Sequence, residues 1–230
     1  MTIESLLGCK TKPSVGEMLL FERAQKYLKW VAWIPGLRMV AICNSLSMYA
    51  SDLDSDIDLF VVSDPRRMWL TRILMTGIFQ ILGVRRHGNK VKGRFCLSFF
   101  CTTEAIDMGK IAIENDVYLE AWVHYLKPIL DIGGTYELFV EANRDWMTQY
   151  FPTSTEARNF LSIEKPLVEE RFTGLLDSVD RWCRSMGEPV TLKEYERLGR
   201  PWGIIISETM LKFHRDDKRE EISKKLNKNL

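Results

Sequence analysis

The sequence predicts an α+β fold, in which a small mixed β-sheet is flanked by helices and followed by a mainly helical C-terminal region. Short apolar runs with strand character occur at 37–43, 57–62 and 95–101. Segments with the helical spacing of apolar residues separate these runs, and beyond about residue 110 the pattern is mostly helical. We therefore expect a mixed core over 1–110 and a helical domain over 111–230.

Helices and strands are expected to alternate in the N-terminal core. The predicted order is a helix at 14–34, a strand at 37–43, a strand at 57–62, a helix at 66–83 and a strand at 95–101. Ser14 and Glu17 have the spacing of a capping box, and a Pro-Gly pair ends the first helix. The dipeptide Asp64-Pro65 predicts the start of the second helix, as an N-cap followed by a first-turn proline.

The C-terminal region is expected to be helical for most of its length. Helices are predicted over 116–129, 136–150, 156–163 and 167–186, with a small strand at 203–206 and a charged helix or tail at 212–230. The segment 167–186 has the most regular spacing, and Gly187 is expected to end it. Thr191 and Glu194 have capping-box spacing and predict a further short helix that stops near Gly199.

Composition and charge restrict the function classes. Hydrophobic residues make up 46% of the 230 residues and the formal net charge is +1, which excludes a disordered chain and nucleic-acid binding driven by overall charge. The five cysteines form no Cys-x-x-Cys pair, so a zinc knuckle is not supported and a reducing compartment is expected. The most apolar stretch, 73–84, is too short to span a bilayer, and no secretory signal opens the sequence. We expect a cytoplasmic protein without membrane contact.

Four aspartates, at positions 52, 54, 56 and 58, fall within seven residues immediately before a strand. Asp56 and Asp58 are two residues apart, so a strand that begins there places both carboxylates on one side. Neighbouring carboxylates repel unless a cation lies between them, and Mg²⁺ suits such oxygen ligands. The alternative is an acidic, solvated turn. An EF-hand loop is excluded, because counting from Asp52 puts Ile57 where glycine is required and Ser63 where glutamate is required.

The order of these elements resembles the signature of the DNA polymerase beta-like nucleotidyltransferase superfamily. The matching features are a strand, the pair Asn44-Ser45, ten intervening residues and then Asp56-Ile57-Asp58 opening the next strand. The resemblance is close over 37–63 and extends by element order over 37–105. It is closest to small stand-alone nucleotidyltransferases of bacterial type.

The resemblance implies an enzyme that moves a nucleoside monophosphate from an NTP to a hydroxyl, with release of pyrophosphate. Asp56 and Asp58 would hold two Mg²⁺ ions that bridge the triphosphate. Asn44 and Ser45, at the turn after the first strand, would meet its terminal phosphates. The acceptor would be an RNA 3′ end such as that of tRNA, a small molecule or a protein side chain. The cluster of Lys and Arg residues in the loop 85–94 slightly favours RNA, whereas the near-neutral net charge of the chain does not.

Two positions depart from the family pattern. Asn44 stands where glycine is usual, although asparagine tolerates the left-handed backbone that such a turn needs. The carboxylate that the family often has on a later strand is absent, and Ser98 occupies its expected position, with Glu104 and Asp107 just beyond. The departure leaves open a mechanism with two aspartates. It also leaves open a catalytically silent nucleotide- or partner-binding module.

The loop 85–94 contains five Lys or Arg residues and no acid. Arg85, Arg86, Lys90 and Lys92 are expected to bind phosphate, and the alternative is a solvated loop. The histidine at 214 lies in a mixed charged cluster that would either close over a substrate or belong to a solvated helix. Most of the tryptophans recur at helical spacing and are expected in the core.

Overall fold

The computed structural model describes residues 4, 7–52, 54–147, 151, 163–165, 173–215, 217 and 219–227. Within these ranges, one seven-stranded sheet has the order β5-β4-β1-β2-β3-β7-β6. The strands are β1 (Leu37–Ile42), β2 (Ile57–Ser63), β3 (Phe95–Thr102), β4 (Lys127–Ile132), β5 (Ile163–Lys165), β6 (Ile204–Ile206) and β7 (Met210–Phe213). The pairs β2/β3 and β4/β5 are parallel and the others are antiparallel, so the predicted mixed sheet is confirmed.

Helices cover both faces of this sheet, as predicted. They are α1 (Val15–Leu28), α2 (Asn44–Ser47), α3 (Met68–Ile81), α4 (Val117–Tyr125), α5 (Thr135–Asn143), α6 (Thr173–Arg197) and α7 (Arg219–Asn227). Alternate residues of β2 face opposite sides, because side chains in a strand alternate. Ile57 and Leu59 belong to the core under α1 and α3, whereas Phe60 and Val62 belong to the core under α4 and α5.

The C-terminal half provides four strands as well as helices. Strands β4 and β5 extend the sheet beyond β1, and β7 and β6 extend it beyond β3. The helix expected over 116–129 is present as α4, but strand β4 replaces its last three residues, because the residues of β4 pair with β1 from Met39 to Ile42. Strand β7 likewise replaces the start of the helix or tail expected from residue 212. Pairing with the sheet overrides the local helical pattern in both segments.

Several predicted helix boundaries are corrected. Helix α6 runs through Gly187 and Thr191 without a break, so these residues neither end nor cap it. Asp64 does not cap α3; instead Asp180 of α6 accepts a hydrogen bond from the Leu70 amide at 2.8 Å. The predicted helix over 156–163 and the part of the 167–186 helix before residue 173 lie outside the described residues, apart from Ile163 in β5.

Two of the tryptophans expected in the core are exposed. Trp30 and Trp182 are 59% and 60% exposed, whereas Trp122 lies in the core. All five cysteines are free, and Cys43 and Cys101 are buried as small apolar side chains. Among the described helices, none combines the length and apolar character needed to cross a membrane.

Candidate functional site

Asp56 and Asp58 lie side by side at the start of β2, next to Cys96 of β3. The parallel register pairs Asp58 with Cys96, so the two side chains point to the same side of the sheet. One carboxylate oxygen of each aspartate and the Cys96 Sγ all lie within 4.8 Å of one another. This cluster therefore brings together the two acids that the sequence pattern singled out, with a thiol that it did not.

Asn44 connects the carboxylate pair to the helical layer. Its φ of 58° places it in the left-handed region, which asparagine tolerates better than most residues. Its side-chain oxygen accepts a hydrogen bond from the Trp122 Nε1 at 3.0 Å, and its side chain also hydrogen-bonds the Asp58 carboxylate. The substitution of asparagine therefore keeps the turn and adds a polar link that glycine lacks.

Burial raises the pKa of the Asp58 carboxyl, and the neighbouring charge of Asp56 raises it further. The hydrogen bonds from Asn44 and Cys96 and the charge of Arg86 act in the opposite direction. The two carboxylates lie close together and are partly shielded from water, so they repel each other, and a cation between them would reduce this repulsion.

Arg86 supplies one such cation from the basic loop. Its guanidinium donates to Asp56 at 2.6 Å and makes a longer contact of 3.7 Å with the Cys96 Sγ. Partial burial acts to lower the Arg86 pKa, but Asp56 outweighs it and holds that pKa above the usual value. Burial and the charge of Asp58 raise the pKa of Cys96 to about 12, so its thiol stays protonated near neutral pH.

A cavity of about 470 Å³ opens beside the carboxylates. Asn44, Asp58 and Arg86 form one side of it. The remaining lining residues are Cys96, Ser98, Phe99, Tyr118, Leu119, Trp122, Lys212, Phe213, His214, Arg215, Asp217, Arg219 and Ile222. Its walls thus come from β3, α4, β7 and α7 as well as from β2. Its volume lies in the range of small-molecule sites.

A buried network of ion pairs fixes the far wall of this cavity. Lys212 contacts Asp217 at 2.5 Å, and Arg219 contacts Asp217 at 3.1 Å and Asp116 at 2.9 Å. All four side chains are at most 5% exposed. Asp116 also caps α4 through the Leu119 amide at 3.0 Å. The network therefore ties β7 and α7 to the helix that carries Trp122.

His214 faces the carboxylate side of the cavity from the end of β7. Its Nε2 lies 3.4 Å from the Ser98 Oγ, and its ring meets the Phe99 ring edge-on, with 5.9 Å between the centroids. Burial lowers the His214 pKa to about 4, helped by the charges of Lys212 and Arg219 and opposed by Asp217. The imidazole is therefore neutral near pH 7.

The predicted phosphate-binding residues are spread over different places. Arg85 and Arg86 line cavities, whereas the side chain of Lys92 pairs with Asp54 at 3.0 Å and is 70% exposed. Lys90 lies exposed in the tight turn that pairs it with His87. Ser45, half-buried in α2 next to Asn44, is not among the residues that line the cavity. Helix α2 has only four residues, so its contribution to an anion site is small.

Of the three residues considered in place of a third carboxylate, the two acids lie far from the pair. Ser98 is close, as it lines the cavity and contacts His214. Glu104 and Asp107 follow the opposite end of β3, and six residues of strand separate Cys96 from Thr102. A strand rises about 3.3 Å per residue, so this separation is roughly 20 Å and excludes both acids from the cluster.

Sequence reasoning missed most of the far wall. The sequence does not single out Tyr118, Trp122 or Lys212 as site residues, and it leaves His214 either closing over a substrate or in a solvated helix. The available signal was the pair of short apolar runs at 204–206 and 210–213, which flank a turn and form a hairpin. Comparison with known protein families, curated proteins and solved structures found no match.

Proposed function

We propose that this protein transfers a nucleoside monophosphate from an NTP to a hydroxyl group in a reaction that depends on Mg²⁺. The observation that carries the proposal is the pair Asp56 and Asp58, held together beside a cavity that arginines and aromatic rings help to line. The resemblance of the segment 37–63 to polymerase beta-like nucleotidyltransferases supports the same reaction.

The donor atoms of the cluster fit Mg²⁺. Asp56 and Asp58 offer hard carboxylate oxygens, which this ion prefers, and the protonated Cys96 thiol is a poor ligand for it. When bound, Mg²⁺ would supply charge stabilisation to the attacking and leaving oxygens. The salt bridge from Arg86 balances part of the charge of Asp56, and a bound ion would share this carboxylate with the guanidinium or displace it.

The other residues of the cavity would bind and orient the nucleotide. Arg86 and Arg215 would contact phosphate oxygens, because guanidinium groups match phosphate geometry. The rings of Tyr118 and Trp122 would flank the nucleoside. Positioning and charge neutralisation of this kind account for most of the catalysis in phosphoryl transfer.

His214 and Ser98 take the place of the third carboxylate in this proposal. The acceptor oxygen forms a bond to the α-phosphorus, and the bond between the α-phosphorus and the bridging oxygen of pyrophosphate breaks. The acceptor proton passes to the neutral His214 Nε2, directly or through the Ser98 hydroxyl, which lies 3.4 Å away. Replacement of His214 by glutamine should therefore slow transfer by about 10²- to 10⁴-fold, the usual range for a lost general base.

The test uses purified protein, Mg²⁺ and each α-labelled NTP in turn. Total RNA, a pool of small hydroxyl compounds and the protein itself serve as acceptors. The double variant Asp56→Asn/Asp58→Asn removes both charges with little change in shape. Asp54→Asn is the matched control, because Asp54 lies in the same acidic segment but is 82% exposed and points to Lys92.

We expect label in an acceptor with the native chain and with Asp54→Asn, and a loss of about 100-fold or more in the double variant. Label that persists in the double variant would place the active site elsewhere. NTP binding without any transfer would favour the second candidate, a catalytically silent nucleotide-binding module. The missing acid at Ser98 is the observation that keeps this second candidate in view.

A further inference from the structure

A second cavity, of about 690 Å³, lies next to the start of β3, between α3, α6 and the turn at 85–88. It is lined by Trp69, Arg72, Ile73, Thr76, Gly77, Arg85, Arg86, His87, Gly88, Cys96, Leu97, Ser98, Met186, Gly187, Val190, Thr191 and Phe213. Arg86, Cys96, Ser98 and Phe213 also line the first cavity. The two cavities therefore share the wall that these four residues form, and Cys96 and Arg86 in that wall contact the carboxylate pair.

The charge of the second cavity has one sign. Arg72, Arg85 and Arg86 line it, and among the described residues no Asp or Glu does. Arg86 has Asp56 as its partner, but Arg72 has no carboxylate partner in the described part of the chain. The Arg72 guanidinium donates to the Leu97 carbonyl at 3.3 Å and lies over the Phe213 ring, 4.4 Å from its centroid.

Arg72 is thus a largely buried cation among aromatic rings and another arginine. Burial and the charge of Arg85 lower its pKa to about 10. A buried charge is normally paired, because desolvation penalises a lone ion. An anionic ligand in this cavity would supply the partner that the chain does not.

A buried donor adds a second, independent observation. The Trp69 side chain is 2% exposed, and its Nε1 has no hydrogen-bond partner within the described residues. Helix α6 approaches this ring at Gly187, where an added Cβ would lie 2.6 Å from a ring atom. Ile73, Met186 and Val190 complete an apolar wall opposite the arginines.

We propose that this second cavity binds the acceptor, and that the acceptor is a small organic alcohol with an apolar body and a phosphate or carboxylate group. This assignment rests on the proposed function. The anion would lie between Arg72 and Arg85, the apolar body against α6, and the hydroxyl would reach the cluster past Ser98. The volume of this open cleft lies in the range of small-molecule sites. The exposed Lys90 and Lys92, which an RNA strand would need, lie outside it.

The binding test measures the full chain with 1-naphthyl phosphate by isothermal titration calorimetry, without NTP or Mg²⁺. Neutral 1-naphthol is the matched probe for apolar binding alone, and 1-naphthoate tests a carboxylate in place of phosphate. Arg72→Met and Arg85→Met remove one cation each, and Arg85 is only half-buried, so its loss leaves the core intact. Lys90→Met removes a cation of the same loop outside the cavity.

We expect binding of 1-naphthyl phosphate that is about tenfold weaker in each arginine variant and unchanged in Lys90→Met. Equal binding by Arg85→Met and the native chain would overturn the anion site. Equal binding of 1-naphthol and 1-naphthyl phosphate would also overturn the anion site, because the cavity would then bind only the apolar ring.

The transfer test separates this inference from the proposed function. Hydroxyl compounds with a phosphate, a carboxylate or no acid are offered together with α-labelled NTP, and label is expected in the anionic ones. Label in RNA alone would overturn the assignment of the acceptor. The variant Asp56→Asn/Asp58→Asn should still bind 1-naphthyl phosphate. Anion binding without transfer to any acceptor would refute the reaction and the acceptor role, and would leave an anion site.

Discussion

The free energy of unfolding should fall less between pH 7 and pH 5 when His214 is replaced by glutamine. Burial and the charges of Lys212 and Arg219 lower the His214 pKa to about 4 in the folded chain, against an opposing effect of Asp217. In the unfolded chain the pKa returns to about 6.5. Between these values the unfolded chain binds a proton that the folded chain does not, so stability falls as the pH falls.

The magnitude follows from these two pKa values. For a single site titrating at about 6.5 unfolded and about 4 folded, the free energy of unfolding changes by about 2 kcal/mol between pH 7 and pH 5. His214 retains some exposure, and solvent screens part of the effect. Between pH 7 and pH 5, we therefore expect the free energy of unfolding to fall by about 1–2 kcal/mol less in His214→Gln than in the native chain.

The assay is urea unfolding followed by circular dichroism at pH 7 and pH 5. The difference between proteins isolates His214, because the other titrating groups are common to both. His87→Gln is the matched control, since His87 is an exposed histidine in the 85–88 turn. Its pH sensitivity should equal that of the native chain. If His214→Gln and the native chain lost the same free energy between the two pH values, the buried, neutral imidazole would be refuted.

Two further predictions concern packing and the ion network. Gly187→Ala should destabilise the protein by about 1–3 kcal/mol, because the new Cβ meets the Trp69 ring, whereas Gly174→Ala in the same helix has no neighbour within 4 Å and should be neutral or stabilising. Thermal unfolding measures both, and equal melting temperatures would contradict the close approach of α6. Asp217→Asn should cost about 3–5 kcal/mol in urea unfolding, because it leaves Lys212 buried without its carboxylate. A loss below about 1 kcal/mol would show that the network is not buried.

The local order of the N-terminal core could be predicted from its residues. The capping box of Ser14 and Glu17 is present, and β1, β2 and β3 match the predicted runs within one residue at each end. The spacing of Asp56 and Asp58 sufficed to put both carboxylates on one side of β2. These features depend on neighbours in the sequence, so a periodic pattern is enough to predict them.

In the C-terminal half, the strands could not be predicted, because they form by pairing with strands that are distant in the sequence. The residues of β4 and β7 have local patterns compatible with a helix, but hydrogen bonds to β1 and β3 decide their conformation. Helix α6 runs through Gly187, its expected end, because a glycine inside a helix costs only about 1 kcal/mol and packing against α3 outweighs it. Pro189 also lies inside this helix, so the packing offsets its larger cost as well.

The sequence by itself determined the carboxylate pair and the short strands of a mixed sheet around it, and it placed at position 44 a residue that tolerates the left-handed backbone found there. Only the tertiary structure decided what faces the pair. It brought Cys96 and Arg86 beside the acids and set His214 against Ser98 from 116 residues away along the chain. It also placed Arg72 in a second cavity without an acidic partner among the described residues. Such contacts depend on which strands pair and which helices meet, and no local pattern of residues encodes these choices.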